Sequence, residues 1–288
     1  MHRIFVTVCL LLAATPSQAA IVVTDDLGAK VELPAPAQRI VSLAPHATEL
    51  LFAAGAGNKI VGVVKYSDYP PQAQQIPQVG GYKALDLERI VALKPDLVVA
   101  WPSGNKPAVV EQLKSLGLTV YQSQPDELSD VAQNLRQLGK LAGTEGIANQ
   151  AAQNFTAEHQ ALKQQYAAKP PVTVFYQIWN QPIMTINGQH LISKVINLCG
   201  GKNVFESAQA SAPKLDVEAV LAANPQVIVA SGMGEDRPDW VDDWKKWPQL
   251  QAVKTKQLYF IPPDIIQRHS PRILQGAKQL CEALDKAR

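Results

Sequence analysis

The feature that most constrains this 288-residue chain is a pattern that it contains twice. Leu85-Asp86-Leu87-Glu88 opens a stretch that runs through Pro95 to Ala100, and Leu215-Asp216-Val217-Glu218 opens one that runs through Pro225 to Ala230, at a constant offset of 130. Each copy reads as a short helix closed at proline, which cannot continue it, and then an apolar run suited to a buried parallel strand. Upstream, Gly55 and Asn58 recur as Gly200 and Asn203 at an offset of 145, so about 15 additional residues lie in the first copy, around Tyr66 to Gln78. Two copies of one βαβ unit predict two lobes related by a pseudo-twofold axis.

What lies between the copies differs in kind. From Glu145 to Lys169 the chain is rich in Ala and Gln, and Ile147, Ala151, Phe155, Leu162 and Tyr166 fall at helical spacing. This predicts one long helix of about 36 Å, too long for a single small lobe and suited to joining two. Elsewhere, Ile21 to Leu33 reads as a hairpin turning at Asp25-Asp26-Leu27-Gly28. Short apolar runs begin at Arg39, Ile60, Leu97, Leu118, Val172, Val227 and Leu258, and helical stretches alternate with them. The expected class is α/β: two Rossmann-like lobes with parallel central sheets joined by one long α-helix. The boundaries predicted are a signal peptide over 1–19, an N-terminal lobe over 20–143, the linking helix over 144–169 and a C-terminal lobe over 170–288.

The compartment follows from the start of the chain. Arg3 precedes an almost unbroken apolar run from Ile4 to Ala14, and Ser17-Gln18-Ala19 supplies the small residues of a cleavage site. No lipobox precedes Cys9. An exported, periplasmic protein is expected, and its remaining pair, Cys199 and Cys281, is expected to form one disulfide, two buried thiols being the alternative. A net charge of +2 without a basic stripe argues against nucleic acid.

In parallel α/β sheets, ligands bind outside the carboxyl ends of the strands. The residues there are Ala44-Pro45-His46, Lys65-Tyr66-Ser67-Asp68-Tyr69, Trp101-Pro102-Ser103-Gly104 and Pro262-Pro263-Asp264 onward to Arg268-His269; Tyr82 stands just before the repeated helix. This set is aromatic with few charges, and suits a large, partly flat ligand with polar handles. No G-x-S-x-G, H-E-x-x-H, phosphate-binding glycine loop or C-x-x-C occurs. His46 and His269 fall at strand ends of opposite lobes, and incidental cleft residues or a zinc or heme ligand pair are both open readings. Trp240, Trp244 and Trp247 form a stripe expected to pack on a lobe, with Trp240 best placed for ligand. Glu88 and Glu218 favour their helix starts through the macrodipole, and their symmetry also suits two basic sites on a dimeric partner.

The run Tyr66-Ser67-Asp68-Tyr69-Pro70-Pro71, the stretch Leu87 to Trp101, Cys199-Gly200-Gly201, Arg268 with Ser270-Pro271-Arg272-Ile273, and Gln279-Leu280-Cys281 closely resemble the periplasmic cobalamin-binding proteins of bacterial ABC importers. The resemblance covers nearly the whole mature chain. It implies modest hinge motion, cobalamin as transported ligand rather than cofactor, a permease dimer with its ATPase as partner, and a free monomer. It further implies cobalamin contacts from Tyr66, from walls at Tyr82 and Trp101, and from Asp264, Ile265, Ile266, Gln267 and Arg268. Docking on permease arginines by Glu88 and Glu218 and a Cys199–Cys281 disulfide are implied as well. Tyr82 stands where relatives carry tryptophan, and Ala212 and Ile265-Ile266 replace aromatics. A ferric siderophore, heme or another corrinoid is the alternative cargo, and an enzyme or redox protein on a similar scaffold the alternative class.

Overall fold

The computed structural model describes residues 20–81, 84–166, 168–232 and 236–288; the expected signal peptide and Tyr82 lie outside them. The N-terminal lobe opens with an antiparallel hairpin, β1 (Ile21–Thr24) and β2 (Lys30–Leu33). Its turn is held by the Asp25 carboxylate, which accepts from the backbone N–H groups of Leu27 and Ala29 at 3.0 and 2.8 Å. The chain continues through β3 (Ile40–Ser42), α1 (Pro45–Ala53), β4 (Ile60–Val63), β5 (Gly80–Gly81), β6 (Ala84–Leu85), α2 (Leu87–Ala92), β7 (Leu97–Ala100), α3 (Pro107–Ser115), β8 (Val120–Gln122) and α4 (Leu128–Ala142). The sheet is parallel in the order β4-β3-β7-β8.

After the long helix α5 (Glu145–Tyr166), the C-terminal lobe contains β9 (Val172–Gln177), β10 (Ile183–Met184), α6 (Leu191–Leu198), β11 (Gly201–Asn203), β12 (Lys214–Leu215), α7 (Val217–Ala223), β13 (Val227–Ala230), α8 (Gln251–Lys254), β14 (Leu258–Phe260), α9 (Pro263–Ile266) and α10 (Ile273–Lys286). Its parallel sheet runs β11-β9-β13-β14, the same order as in the first lobe. The repeat extends to detail. A two-residue antiparallel pair, β5 with β6 or β10 with β12, precedes each copied helix. Asp86 and Asp216 cap those helices, accepting from Arg89 N–H and Ala219 N–H, each at 2.9 Å.

Among the described residues, three apolar clusters hold the molecule. Val98, Val110 and Leu113 pack on the outer face of the first sheet, and Phe175, Ile228 and Trp244 on that of the second. The third is shared: it runs from Ile40 and Leu50 through Phe155 and Leu162 of α5 to Tyr176, Ile196 and Leu280. A core common to both lobes and their connector opposes free rotation between them. Cys199 and Cys281 form a buried disulfide joining the end of α6 to α10. Closing a loop of 82 residues, it stabilises by about 4–5 kcal/mol in the chain-entropy model.

Three details depart from the sequence reading. The α5 stripe passes through Ala148 and Ala152; Ile147 is 58% exposed and lies over Gly55, where an added Cβ would meet it at 2.8 Å. Helix α4 had no counterpart in the strand–helix alternation, although Asp130 accepts from the Glu127 N–H at 2.8 Å and Gly143 ends it at φ 67°. The tryptophan stripe is wound as a 3-10 helix over Asp239–Lys246. In it Trp244 is buried and donates to Gln177 Oε1 at 2.7 Å, whereas Trp240 lies against Gly232 beyond β13.

Candidate ligand cleft

Strand order fixes where a cleft forms. In the N-terminal lobe the connection from β3 leads one way, through α1 to β4, and that from β7 the other, through α3 to β8. The two strand ends part, leaving a crevice at this switch point. His46 and Trp101 occupy it edge to face, with ring centroids 5.4 Å apart. Asn105 holds the corner: its Oδ1 accepts from Trp101 N–H at 2.7 Å and its Nδ2 donates to the Leu43 carbonyl at 3.1 Å. Beside it Thr48 bonds Ser42 and Ser67 through hydroxyls at 2.8 and 3.1 Å. These bonds anchor the loop that carries Tyr66, which has φ 67° and is 65% exposed. A tyrosine in the left-handed region is a strained conformation of the kind that concentrates at functional sites.

The C-terminal lobe faces this corner with the loop between α9 and α10. Gln267 is tied back to Ser231 through its side-chain amide at 3.0 and 3.1 Å. Two cavities result. One of about 220 Å³ is lined by Pro45, His46, Tyr66, Asp264 and Arg268, the other of about 580 Å³ by Gln124, Asp126, Ile178, His190, Lys194 and Ser211. Trp101, Gln267 and His269 line both, so these are chambers of one inter-lobe cleft.

A cluster of charges crosses between the lobes at its edge. Glu49 of α1 is 2% exposed and accepts from Arg272 Nε at 2.9 Å, Arg272 Nη2 at 2.6 Å, Arg268 Nη1 at 2.9 Å and Ser270 Oγ at 2.6 Å. Arg268, 12% exposed, also meets Asp68 at 2.6 Å and Asp264 at 2.8 Å. Burial opposes its charge, but the bonds from Asp68 and Glu49 outweigh that and hold it protonated. Arg272 stacks over the Tyr69 ring at 3.8 Å. At the far side Lys194 pairs with Glu127 at 2.6 Å, again across the lobes.

The floor is a row of three imidazoles. His46 and His269 lie 6.0 Å apart and His269 and His190 5.9 Å apart between ring centroids. Burial pulls His46 and His190 down to about 4, and pulls His269 well below the ordinary histidine value. All three are therefore neutral at neutral pH. Because each is harder to protonate in the fold than at the unfolded value of 6.5, their contribution to stability is full above 6.5 and is lost as pH falls toward 4. Unfolding free energy from urea titrations is expected to drop over that interval, by on the order of 3 kcal/mol per imidazole at full protonation. His46→Phe should flatten the slope; an unchanged slope contradicts the assignment. Among the described residues no set of three or more His, Cys, Asp or Glu is grouped to hold a metal.

Of the residues expected from sequence, the structure brings Tyr66, Trp101, Asp264, Gln267 and Arg268 to one cavity. Ile265 and Ile266 do not join them: Ile266 is fully buried, with its Cβ against Gly276, and Ile265 packs on the shared core. The residues around Gln124, Asp126, Gln189, His190 and Lys194 were missed. Applying the strand-end rule to β8 as well would have found Gln124 and Asp126; His190 was legible as a helix start, and its Nδ1 accepts from the Ile192 N–H at 3.2 Å.

Two α/β lobes of matched strand order, a stiff connector and a cleft between opposed strand ends define a bilobed solute-binding protein. The chain belongs to the periplasmic binding protein family, whose pattern matches residues 40–265. It is 40% identical to the vitamin B12-binding protein of Vibrio cholerae over 263 residues, covering 91% of this chain and 93% of that protein. The vitamin B12-binding protein of Yersinia pestis is 38% identical over 248 residues, 86% of each chain. Among solved structures, the periplasmic vitamin B12-binding protein of Vibrio cholerae superposes with a TM-score of 0.82 at 39% identity, over 88% of this chain and 98% of that one. The periplasmic heme-binding protein from Roseiflexus superposes with a TM-score of 0.77 at 25% identity, over 87% and 99%.

Proposed function

We propose that the protein captures cobalamin between its lobes in the periplasm and delivers it to the permease of an ABC importer. The observation that carries this reading is the convergence of Tyr66, Trp101, Gln267 and Arg268 on one inter-lobe cleft, in a chain 40% identical to a vitamin B12-binding protein. Residues 20–143 and 170–288 act as two bodies about a connector over 144–169, after removal of a signal peptide over 1–19. Tyr66, Tyr82 and Trp101 wall the ligand, with Asp264, Gln267 and Arg268 opposite. The protein acts without catalysis or resident cofactor, cobalamin being its cargo, and is monomeric when free.

Delivery uses Glu88 and Glu218. Each is exposed in the first turn of a copied helix. Those helices return antiparallel to their strands, so both carboxylates stand at the level of the strand ends that border the cleft. A dimeric permease with two basic sites matches that symmetry.

A second reading, with heme, a ferric siderophore or another corrinoid as cargo, draws on the similarity to the heme-binding protein from Roseiflexus. Titrating the purified protein with cyanocobalamin, hemin and a ferric siderophore while following tryptophan fluorescence separates the two. Trp101 lines the cleft, so cobalamin is expected to quench with saturation at micromolar concentration or below, on the order of −8 kcal/mol or better. Quenching by hemin or siderophore with no response to cobalamin transfers the assignment to the second reading.

A further inference from the structure

The cleft holds two hydrogen-bond acceptors that the chain itself leaves unused. The backbone of Ser123 favours a proton on the His46 ring, and that of Pro125 a proton on the His269 ring. A backbone group that favours the protonated ring is a carbonyl, and Pro125 has no N–H to give, so the proton of each neutral ring is assigned to the nitrogen on that side. In a neutral imidazole the other nitrogen is then a bare acceptor. Those nitrogens are His46 Nε2 and His269 Nδ1, both buried and both without a hydrogen-bond partner among the described residues. The two rings come from opposite lobes and line the chamber that also contains Tyr66 and Trp101. His190 differs, since its Nδ1 already accepts from Ile192.

An unmet buried acceptor costs about 1–3 kcal/mol, and two in one chamber favour a group that brings two hydrogens. The –NH2 of a primary carboxamide does so: two hydrogen bonds of about 2.9 Å diverging from one nitrogen reach acceptors about 5 Å apart, a span within reach of rings 6.0 Å apart. A carboxylate brings none. It would fit only if the imidazoles took up protons, which burial resists at both rings, Arg268 at His46, and His46 and His190 at His269. Three acidic groups line these chambers: Asp126, which favours a proton on His190, Asp264, which is paired with Arg268, and Glu127, which is paired with Lys194.

We propose that His46 and His269 are specificity-determining residues: they accept from a primary carboxamide of the ligand, and so admit cargo with amidated side chains while disfavouring cargo whose side chains end in carboxylates. This rests on the cobalamin reading, the corrin rim of cobalamin being lined with primary carboxamides.

The test is calorimetric titration of the full mature chain with cyanocobalamin and with its monocarboxylate derivatives, each having one rim amide hydrolysed. At least one isomer is expected to bind about tenfold to a hundredfold more weakly than cobalamin near neutral pH, with the gap narrowing as pH falls toward about 4, where His46 takes up a proton. His46→Phe and His269→Phe should weaken cobalamin by a similar factor and shrink the gap for that isomer; His46→Asn, which restores an acceptor oxygen, should recover part of it. Equal affinity of the wild-type protein for cobalamin and every monocarboxylate overturns the proposal, as do phenylalanine variants that keep both the affinity and the gap. The wild-type comparison decides the matter even if a variant fails to fold. No isotherm with cobalamin at all overturns the functional reading and this inference with it, whereas binding without discrimination overturns the inference alone.

Discussion

Replacing Glu49 by alanine is expected to lower the free energy of unfolding by about 3–5 kcal/mol, the usual cost of stranding a buried charge by removing its partner. The carboxylate is 2% exposed and receives four hydrogen bonds from three residues of the opposite lobe. Without it Arg272 keeps its stacking on Tyr69 and a longer-range attraction to Asp264, while Arg268 retains direct pairs with Asp68 and Asp264. Most of the loss is therefore assigned to Arg272. Urea unfolding followed by circular dichroism measures it. The comparison is Lys194→Ala, which breaks an inter-lobe pair whose side chains are 32% and 53% exposed and should cost less than about 1 kcal/mol. A loss for Glu49→Ala no larger than that would mean water screens the cluster.

The second large effect concerns transport. Replacing Glu88 and Glu218 together by alanine should leave cobalamin affinity within error of the wild type and reduce importer-dependent uptake about tenfold or more. Tenfold is about 1.4 kcal/mol, a threshold that losing even one charge-assisted hydrogen bond of about 1.5–3 kcal/mol at a docking surface reaches. Position separates docking from binding: neither carboxylate lines the chambers of the cleft, and both sit exposed at helix starts. Affinity that falls as far as uptake would remove the docking assignment.

The architecture was legible because duplication repeats every local signal. Asp86 and Asp216 cap, Pro95 and Pro225 stop, and the apolar runs behind them pair as strands, so each copy confirms the other. Helix α4 escaped because the strand–helix alternation ends at β8 and only a capping box and Gly143 mark its limits. Tyr66, Trp101 and Gln267 could be placed from strand ends alone, since that rule depends on topology. The fate of Arg268 could not. Its partners Glu49 and Asp68 lie about 200 residues or more away in sequence, and no local pattern announces a contact between lobes. His46 and His269 could be set across from one another by the same strand-end rule, whereas His190, legible only as a helix start, joins them in a row through packing between lobes.

Capture in the cleft requires both lobes to hold the ligand at once. Hydrogen–deuterium exchange with saturating cyanocobalamin tests it directly. Protection is expected in segments from both sides of the cleft, around 101–105 and 123–127 in one lobe and around 189–194 and 264–270 in the other, with the exposed surface of α3 unchanged. Protection confined to a single lobe, or spread over a face away from these segments, would contradict capture in the cleft.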